Sequence, residues 1–592
     1  MLIRRLGLMA WLIALISGLL QLATGQPAVA DESAVRPGRL FVEPATPHAL
    51  GFRWPLAGDS NGDAEAALHY RLLGSEVWQA GPALFRVGRE SRQPERRRRE
   101  GVLLAGSLVG LAAGRRYEVR LALVDPDGGG VQRTLRLRTA DEPRLPSGLR
   151  RRHVRPEPRD SLGPGTGSAA DPFRGLEAAL SAARPGDLLL LAPGRYRVAG
   201  LVPARSGEPG RPIVVQGEGG GVLLDGGGGE RLLDLSDRRH VWIRGLTLRN
   251  ADTLIRADRA HGLLVQGNHF EVSRAGYVSA GAVAEESQGQ FVLDNHFVGS
   301  THWPRSKGIE HIFGVGLSGS GHVIAYNRME SLGDCIRGAW LEGGRGLLSA
   351  SDIHHNDLQS CTDDAIEVDH ADANVRVFAN RITNSFAGIS LQPIFGGPVY
   401  LYRNRIYNTL YSPFKLHNDT AGVLMIHNTS IRAGIPFFIR TSTETVRDSL
   451  TRNNLFVGTS GPALASTAGM IGSDFDSDGY AWSDGDFALW NKRRYPTVES
   501  ALAGGALYGR YGALRLDART LFDSDLAPVS DASRRYDSEV NRPLLSARSP
   551  ARDRGVPLAG FNDDFLGQAP DLGCCEQGLA LPAVGPRAAF VP

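Results

Sequence analysis

Acids, bases and hydrogen-bond donors recur at a regular interval through the middle of the chain: Arg337, then Glu367 and Asp369, then Ser390 and Gln392, then Lys415 and His417, then Arg440. Asp334 stands just before the first of these, and Asp363-Asp364 just before the second. Carboxylates grouped like Asp363, Asp364, Glu367 and Asp369 can hold a hard cation such as calcium. A cation or guanidinium beside a bound carboxylate makes the neighbouring C–H more acidic, and a lysine can remove that proton once its pKa falls from the usual value of about 10.4. Partial burial and a nearby Arg440 would lower Lys415 in that way. Lysine occurs only at Lys307, Lys415 and Lys492 among 66 basic residues, so Lys415 stands against a background that favours arginine. Lys307, before Gly308-Ile309-Glu310-His311, is a weaker candidate base. Farther along, Asp474-Phe475-Asp476-Ser477-Asp478-Gly479 has the Asp-x-Asp-x-Asp-Gly opening of a calcium loop, with Gly485 where the twelfth-position glutamate would stand.

These residues share a face only if the backbone repeats. In a strand alternate side chains point the same way, so the apolar set Ile336, Ile366, Val368, Ile389, Leu391, Phe414 and Leu416 faces a core and the polar set faces water. The period is marked by asparagine. Asn268, Asn295, Asn327, Asn356, Asn380, Asn404, Asn428 and Asn454 follow apolar or aromatic segments in one register, at spacings of 27, 32, 29, 24, 24, 24 and 26. One asparagine per coil predicts a stacked amide ladder at about the 4.8 Å strand spacing. Each coil, as in Val375 to Asn380, Arg381 to Asn384 and Gly388 to Gln392, should supply three short strands. The fold class is therefore all-β, a parallel β-helix over residues 169–460, followed by a loop-rich extension over 461–592 that packs on it.

The chain of 592 residues is too long for one core. Arg4 and Arg5, the apolar run Leu6 to Leu20, and Ala28-Val29-Ala30 read as a signal peptide over 1–30, cut before Asp31. The mature chain should then be secreted or periplasmic, without a membrane span. Residues 36–140 show short alternating strands, with Trp54 early and Leu111-Ala112-Ala113-Gly114-Arg115-Arg116-Tyr117 as a tyrosine-corner segment, and this resembles fibronectin type III β-sandwiches. Arg96 to Arg99 inside it form a basic loop, and residues 141–168, rich in proline, glycine and arginine, read as a linker. With 66 basic and 63 acidic residues the net charge is +3, too small for a nucleic-acid binder's field. Cys335 and Cys361 can pair if their coils are neighbours, and Cys574-Cys575 would form a vicinal bridge.

The run Pro185-Gly186-Asp187, the strand Leu188 to Leu191, and Ala192-Pro193-Gly194-Arg195-Tyr196 resemble the opening of pectin-lyase-like right-handed parallel β-helix proteins. Residues Asn562 to Gly567 and Ala569 to Gly573 resemble their closing segment. The resemblance implies an exported enzyme acting on a polysaccharide, most simply a lyase on an anionic, uronic-acid-containing glycan, with calcium as its one cofactor and Lys415, Arg337, Asp364 and Glu367 as catalytic residues. Asp334, Asp363, Asp369, Ser390, Gln392, His417 and Arg440 would then contact the substrate. The order Asp334, Asp363-Asp364, Gly388-Ile389-Ser390 and Phe414-Lys415 is also similar to polygalacturonases, which implies an inverting hydrolase with Asp334 and Asp363 or Asp364 as its acid and base. A non-catalytic glycan-binding or surface-assembly role is the third expectation.

Overall fold

The computed structural model describes residues 32–88, 101–157, 163–280, 287–304, 311–338, 347–439, 445–505, 512–523, 526 and 528–588. The signal-like segment, the Arg96 to Arg99 loop, Lys307 and Arg440 lie outside the described residues.

Among the described residues the N-terminal unit is two antiparallel sheets, one of five strands built on Leu50–Ala57 and Val102–Leu108, the other of four built on Glu65–Leu72 and Arg116–Val124. Alternation puts Phe52, Trp54, Leu68, Leu104, Val119 and Leu121 between them. At the bend before Arg116–Val124, the Tyr117 hydroxyl accepts from the Ala112 amide at 2.9 Å, which pins that corner.

After it comes a parallel β-helix, whose two main sheets have 16 strands each among the described residues. Its first rung is Arg150–Arg155, which pairs in parallel with Asp187–Leu191. That strand lies inside the stretch read as linker, so the β-helix begins earlier than the sequence suggested; among its residues only Val154 is buried, and one apolar residue gives no visible period. The helix Leu176–Ala182 sends Leu176, Ala179 and Leu180 into the open end of the stack.

Seven side-chain hydrogen bonds of 2.9–3.0 Å join the asparagine ladder from Asn268 to Asn454. Each amide nitrogen also donates to a backbone carbonyl, as Asn380 does to Ile353, so every ladder group is satisfied in a dry interior. The stack does not stop at 460. Leu464–Ser466, Asp478–Ala481 and Ala513–Leu516 add further parallel rungs, and the ladder ends on Asp478, whose Oδ1 accepts from Asn454 Nδ2 at 2.8 Å. Only after that does the chain turn back over the coils, where Asn541 Nδ2 donates to Ile382 and Arg587 pairs with Asp294.

In the central coils the second and third strands are fused. Asp357–Glu367, Arg381–Leu391 and Arg405–Leu416 each run through a left-handed corner residue, Ser360, Asn384 and Asn408. Asn384 and Asn408 bond to each other at 2.9 Å, a second short ladder that the sequence reading treated as a break between strands.

Candidate functional site

Strand register decides which side chains meet. Ile336 pairs with Ile366, Ile366 with Ile389 and Ile389 with Phe414, giving an apolar row inside the coil. One residue on, Arg337, Glu367, Ser390 and Lys415 align on the opposite face. The predicted wall is therefore formed, but it is more enclosed than a solvated strip: Ser390 and Lys415 are buried, and Arg337 and Glu367 are half-buried.

A bulge brings the aspartates to this wall. Between the pairs Cys361↔Ser385 and Asp364↔Ala387 the aspartate-bearing strand holds one residue more than its neighbour. An extra residue resets the alternation and re-aims the side chains after it. Here it lets Asp364 reach Lys415, with Asp364 Oδ2 accepting from Nζ at 2.7 Å. Asp334 Oδ1 accepts the Asp364 amide at 3.2 Å, and a disulfide joins Cys335 to Cys361, tying the two rungs together beside both aspartates. The adjacent pair Cys574 and Cys575 is also bridged.

Asp334, Asp364 and Glu367 converge, each offering an oxygen within 4.8 Å of the others. Burial pushes the Asp334 carboxyl well above its ordinary value, helped by the charges of Glu367, Asp364 and Asp363. Glu367 is pushed up to about 8, first by burial and then by Asp369 and Asp364, against the opposing pull of Arg337 and Lys415. These groups need positive charge. Arg337 lies 3.7 Å from Asp334 and stacks its guanidinium over the Phe313 ring at 3.8 Å. Asp364 Oδ1 is buried without a hydrogen-bond partner. Three hard oxygen donors and an unsatisfied buried carboxylate oxygen fit a hard divalent cation such as calcium.

The ligand set differs from the expected one. Asp334, expected as a substrate contact, joins the cluster, and Asp363 is not part of it. Asp369 turns aside: its Oδ1 accepts from Ser390 Oγ at 2.8 Å and from the Gln392 amide at 2.7 Å. Burial and the Asp364 charge, opposed by Lys415 and these hydrogen bonds, leave Asp369 at about 7. Lys415 is a second difference. Burial draws its pKa down, but Asp364 and Asp369 outweigh burial and raise it above the usual lysine value, so it stands as an ion-paired ammonium rather than as a base with a lowered pKa. His417 is half-buried, with the Tyr411 hydroxyl 3.2 Å from its Nε2.

The Asp474, Asp476 and Asp478 motif does not form a cage. Asp474 pairs with Arg452, Asp476 accepts from the Ser477 amide, and Asp478 occupies the end of the asparagine ladder. Ladder membership, with its 24-residue step from Asn454, was the signal that outweighed the calcium-loop spacing. Among the described residues the other acidic group is Asp59, Asp63 and Asp125 in the N-terminal sandwich, where Asp59 is taken by Arg86.

No family model matches the chain. A curated relative, pectate lyase L of Dickeya dadantii (strain 3937), is 23% identical over 449 residues, which span 69% of this chain and 87% of the relative. Among solved structures, pectate lyase Pel9A is similar at 16% identity, with 73% of this chain and 98% of that one covered and a TM-score of 0.39. XylC in complex with xylose is similar at 12% identity, with 72% and 99% covered and a TM-score of 0.48. The asparagine ladder, parallel rungs and capping helix make the chain a parallel β-helix.

Proposed function

We propose that this protein is an exported polysaccharide lyase that cleaves a uronic-acid-containing glycan by β-elimination. The observation that carries it is the convergence of Asp334, Asp364 and Glu367 on the wall that also bears Arg337 and Lys415. Likeness to a protein named pectate lyase supports the same chemistry. Asp334, Asp364 and Glu367 would hold calcium, which when bound supplies positive charge to the substrate carboxylate and so acidifies the C–H beside it. Arg337 is placed to bind that carboxylate or its neighbour. Lys415 is the nitrogen positioned to take the proton as the C–O bond to the leaving sugar breaks and a C=C bond forms. As an ammonium paired with Asp364 Oδ2 at 2.7 Å, Nζ must first release a proton to solvent before it can act as base, and a cation that takes up the charge of Asp364 would favour that release. Ser390, Gln392 and His417 line the same wall.

With Asp334 and Asp364 as the acid and base, the inverting hydrolase fits less well. It needs carboxylates about 6.5–9.5 Å apart to admit a water, whereas Asp334 and Asp364 bring oxygens within 4.8 Å of each other. Incubation with acidic and neutral glycans, with and without calcium, tests the proposal by following reducing ends and the ultraviolet absorbance of an unsaturated uronate. Both signals together are expected. Reducing ends alone would mean hydrolysis, and binding without either signal would mean a lectin-like role.

A further inference from the structure

Beside the carboxylate cluster the wall carries aromatic rings that the core does not use. Phe386 and Tyr411 immediately precede Ala387 and Ser412, the residues that pair in succession with Asp364. They are half-buried, and their rings are parallel within 4° at a centroid distance of 5.4 Å. A second bulge, between Ser385↔Thr409 and Ala387↔Ser412, gives the upper strand one extra residue, in the stretch that holds Tyr411.

Tyr411 is held on several sides. Phe438 meets it edge-on at 6.4 Å, His417 edge-on at 5.9 Å, and its hydroxyl is 3.2 Å from His417 Nε2. Phe386 is not held so: among the described residues its ring contact is with Tyr411 alone. Because that partner lies one rung up, the other face of Phe386 is turned toward the rung of Asp363 and Asp364. On that rung stands Asp364, a member of the acidic cluster. Half-exposed aromatics stacked contiguously beside a polar site are a recurrent signature of ligand binding rather than of core packing.

We infer that Phe386, braced by Tyr411, is a stacking platform for one pyranose ring of the glycan, next to the ring that sits at Asp334, Asp364 and Glu367. A pyranose has an apolar face of C–H groups and a polar rim. Phe386 takes the face, while His417 and Gln392 lie within the same rungs for hydroxyls. Along an anionic chain the platform supplies affinity that charge does not, and it sets how a sugar is seated before chemistry. This rests on the proposed glycan-cleaving role, but it is separable from it.

The test uses the full-length protein, with glycan binding by calorimetry and cleavage kinetics on oligosaccharides of graded length. Phe386→Ala should weaken binding and raise KM by about fivefold to tenfold while kcat changes little, with the largest loss on oligosaccharides long enough to reach the platform. Phe386→Leu, which keeps bulk but not the planar face, should show the same direction and guards against a folding defect in the alanine variant. Tyr411→Phe keeps the ring stack and should bind nearly as the parent does. Unchanged binding and KM in a folded Phe386→Leu variant would overturn the platform, as would a parent protein that binds no glycan in the panel. Phe386-dependent binding without cleavage would retain the platform and overturn the lyase assignment instead.

Discussion

Lys415 and Asp364 form one functional unit, because each neutralises a charge that burial alone would forbid. The side chains are 4% and 3% exposed, and removing either leaves the other as an uncompensated buried group. Lys415→Ala should lower kcat/KM by about 10²–10⁴-fold, the range for loss of a positioned proton acceptor, in protein whose circular dichroism remains native. Calcium should raise the parent's melting temperature, and Asp364→Asn should lose most of that increase; an equal increase in both proteins would remove Asp364 from the cation cradle. The types and spacing of Arg337, Glu367, Ser390 and Lys415 were readable from sequence because alternation is a local rule. Asp334's place in the cluster, and the exclusion of Asp363 and Asp369 from it, were not, since they depend on contacts between rungs, such as the Asp369 bond to Ser390, and on a one-residue bulge, none of which marks the composition.

At the level of the element, the asparagine ladder is the device that fixes register, and Asp478 is its one charged member. Burial raises the Asp478 carboxyl to about 7, against hydrogen bonds from Thr451 and Asn454 that favour the anion. The folded state therefore holds a proton that the unfolded chain, near 3.8, has released. Unfolding then releases protons between those values, so this contribution to stability is intact below the unfolded pKa and is lost as pH rises through about 7. Asp478→Asn, which keeps both the Oδ1 acceptor and the shape, should melt at a higher temperature than the parent at pH 8 and at a similar one at pH 4. Scanning calorimetry at the two pH values decides it, and an equal shift at both would locate the effect elsewhere. The calcium-loop spacing around Asp474 was legible but misleading, because the same aspartate spacing also serves a coil corner.

The whole molecule is stiffened by a buried polar seam between the sandwich and the back of the coils. Arg53 pairs with Glu43 at 2.8 Å and with Asp372 at 3.0 Å, Asn374 donates to Glu43 at 2.6 Å, and Arg376 donates to Ser107 at 2.9 Å. Burial raises the Glu43 carboxyl despite Arg53, a sign that this arginine carries much of the compensation. Arg53→Met leaves Glu43 and Asp372 short of counter-charge and should cost toward the lower end of the about 3–5 kcal/mol seen when a buried pair is broken, since Arg53 is partly exposed. A single thermal transition in the parent should separate into two in the variant. One unchanged transition would show that the seam does not couple the two units.

What the sequence determined by itself was whatever repeats: the all-β class, the asparagine ladder, the inward apolar row and the outward polar one, each a consequence of a fixed strand period and one coil per asparagine. What only the tertiary structure decided was whatever interrupts the repeat. The bulges that re-aim Asp364 and set Tyr411 on the wall, the early rung Arg150–Arg155, the ladder's last seat at Asp478 and the Lys415 ion pair all arise from contacts between rungs. Such contacts are set by distances across the stack, which spacing along the chain does not encode.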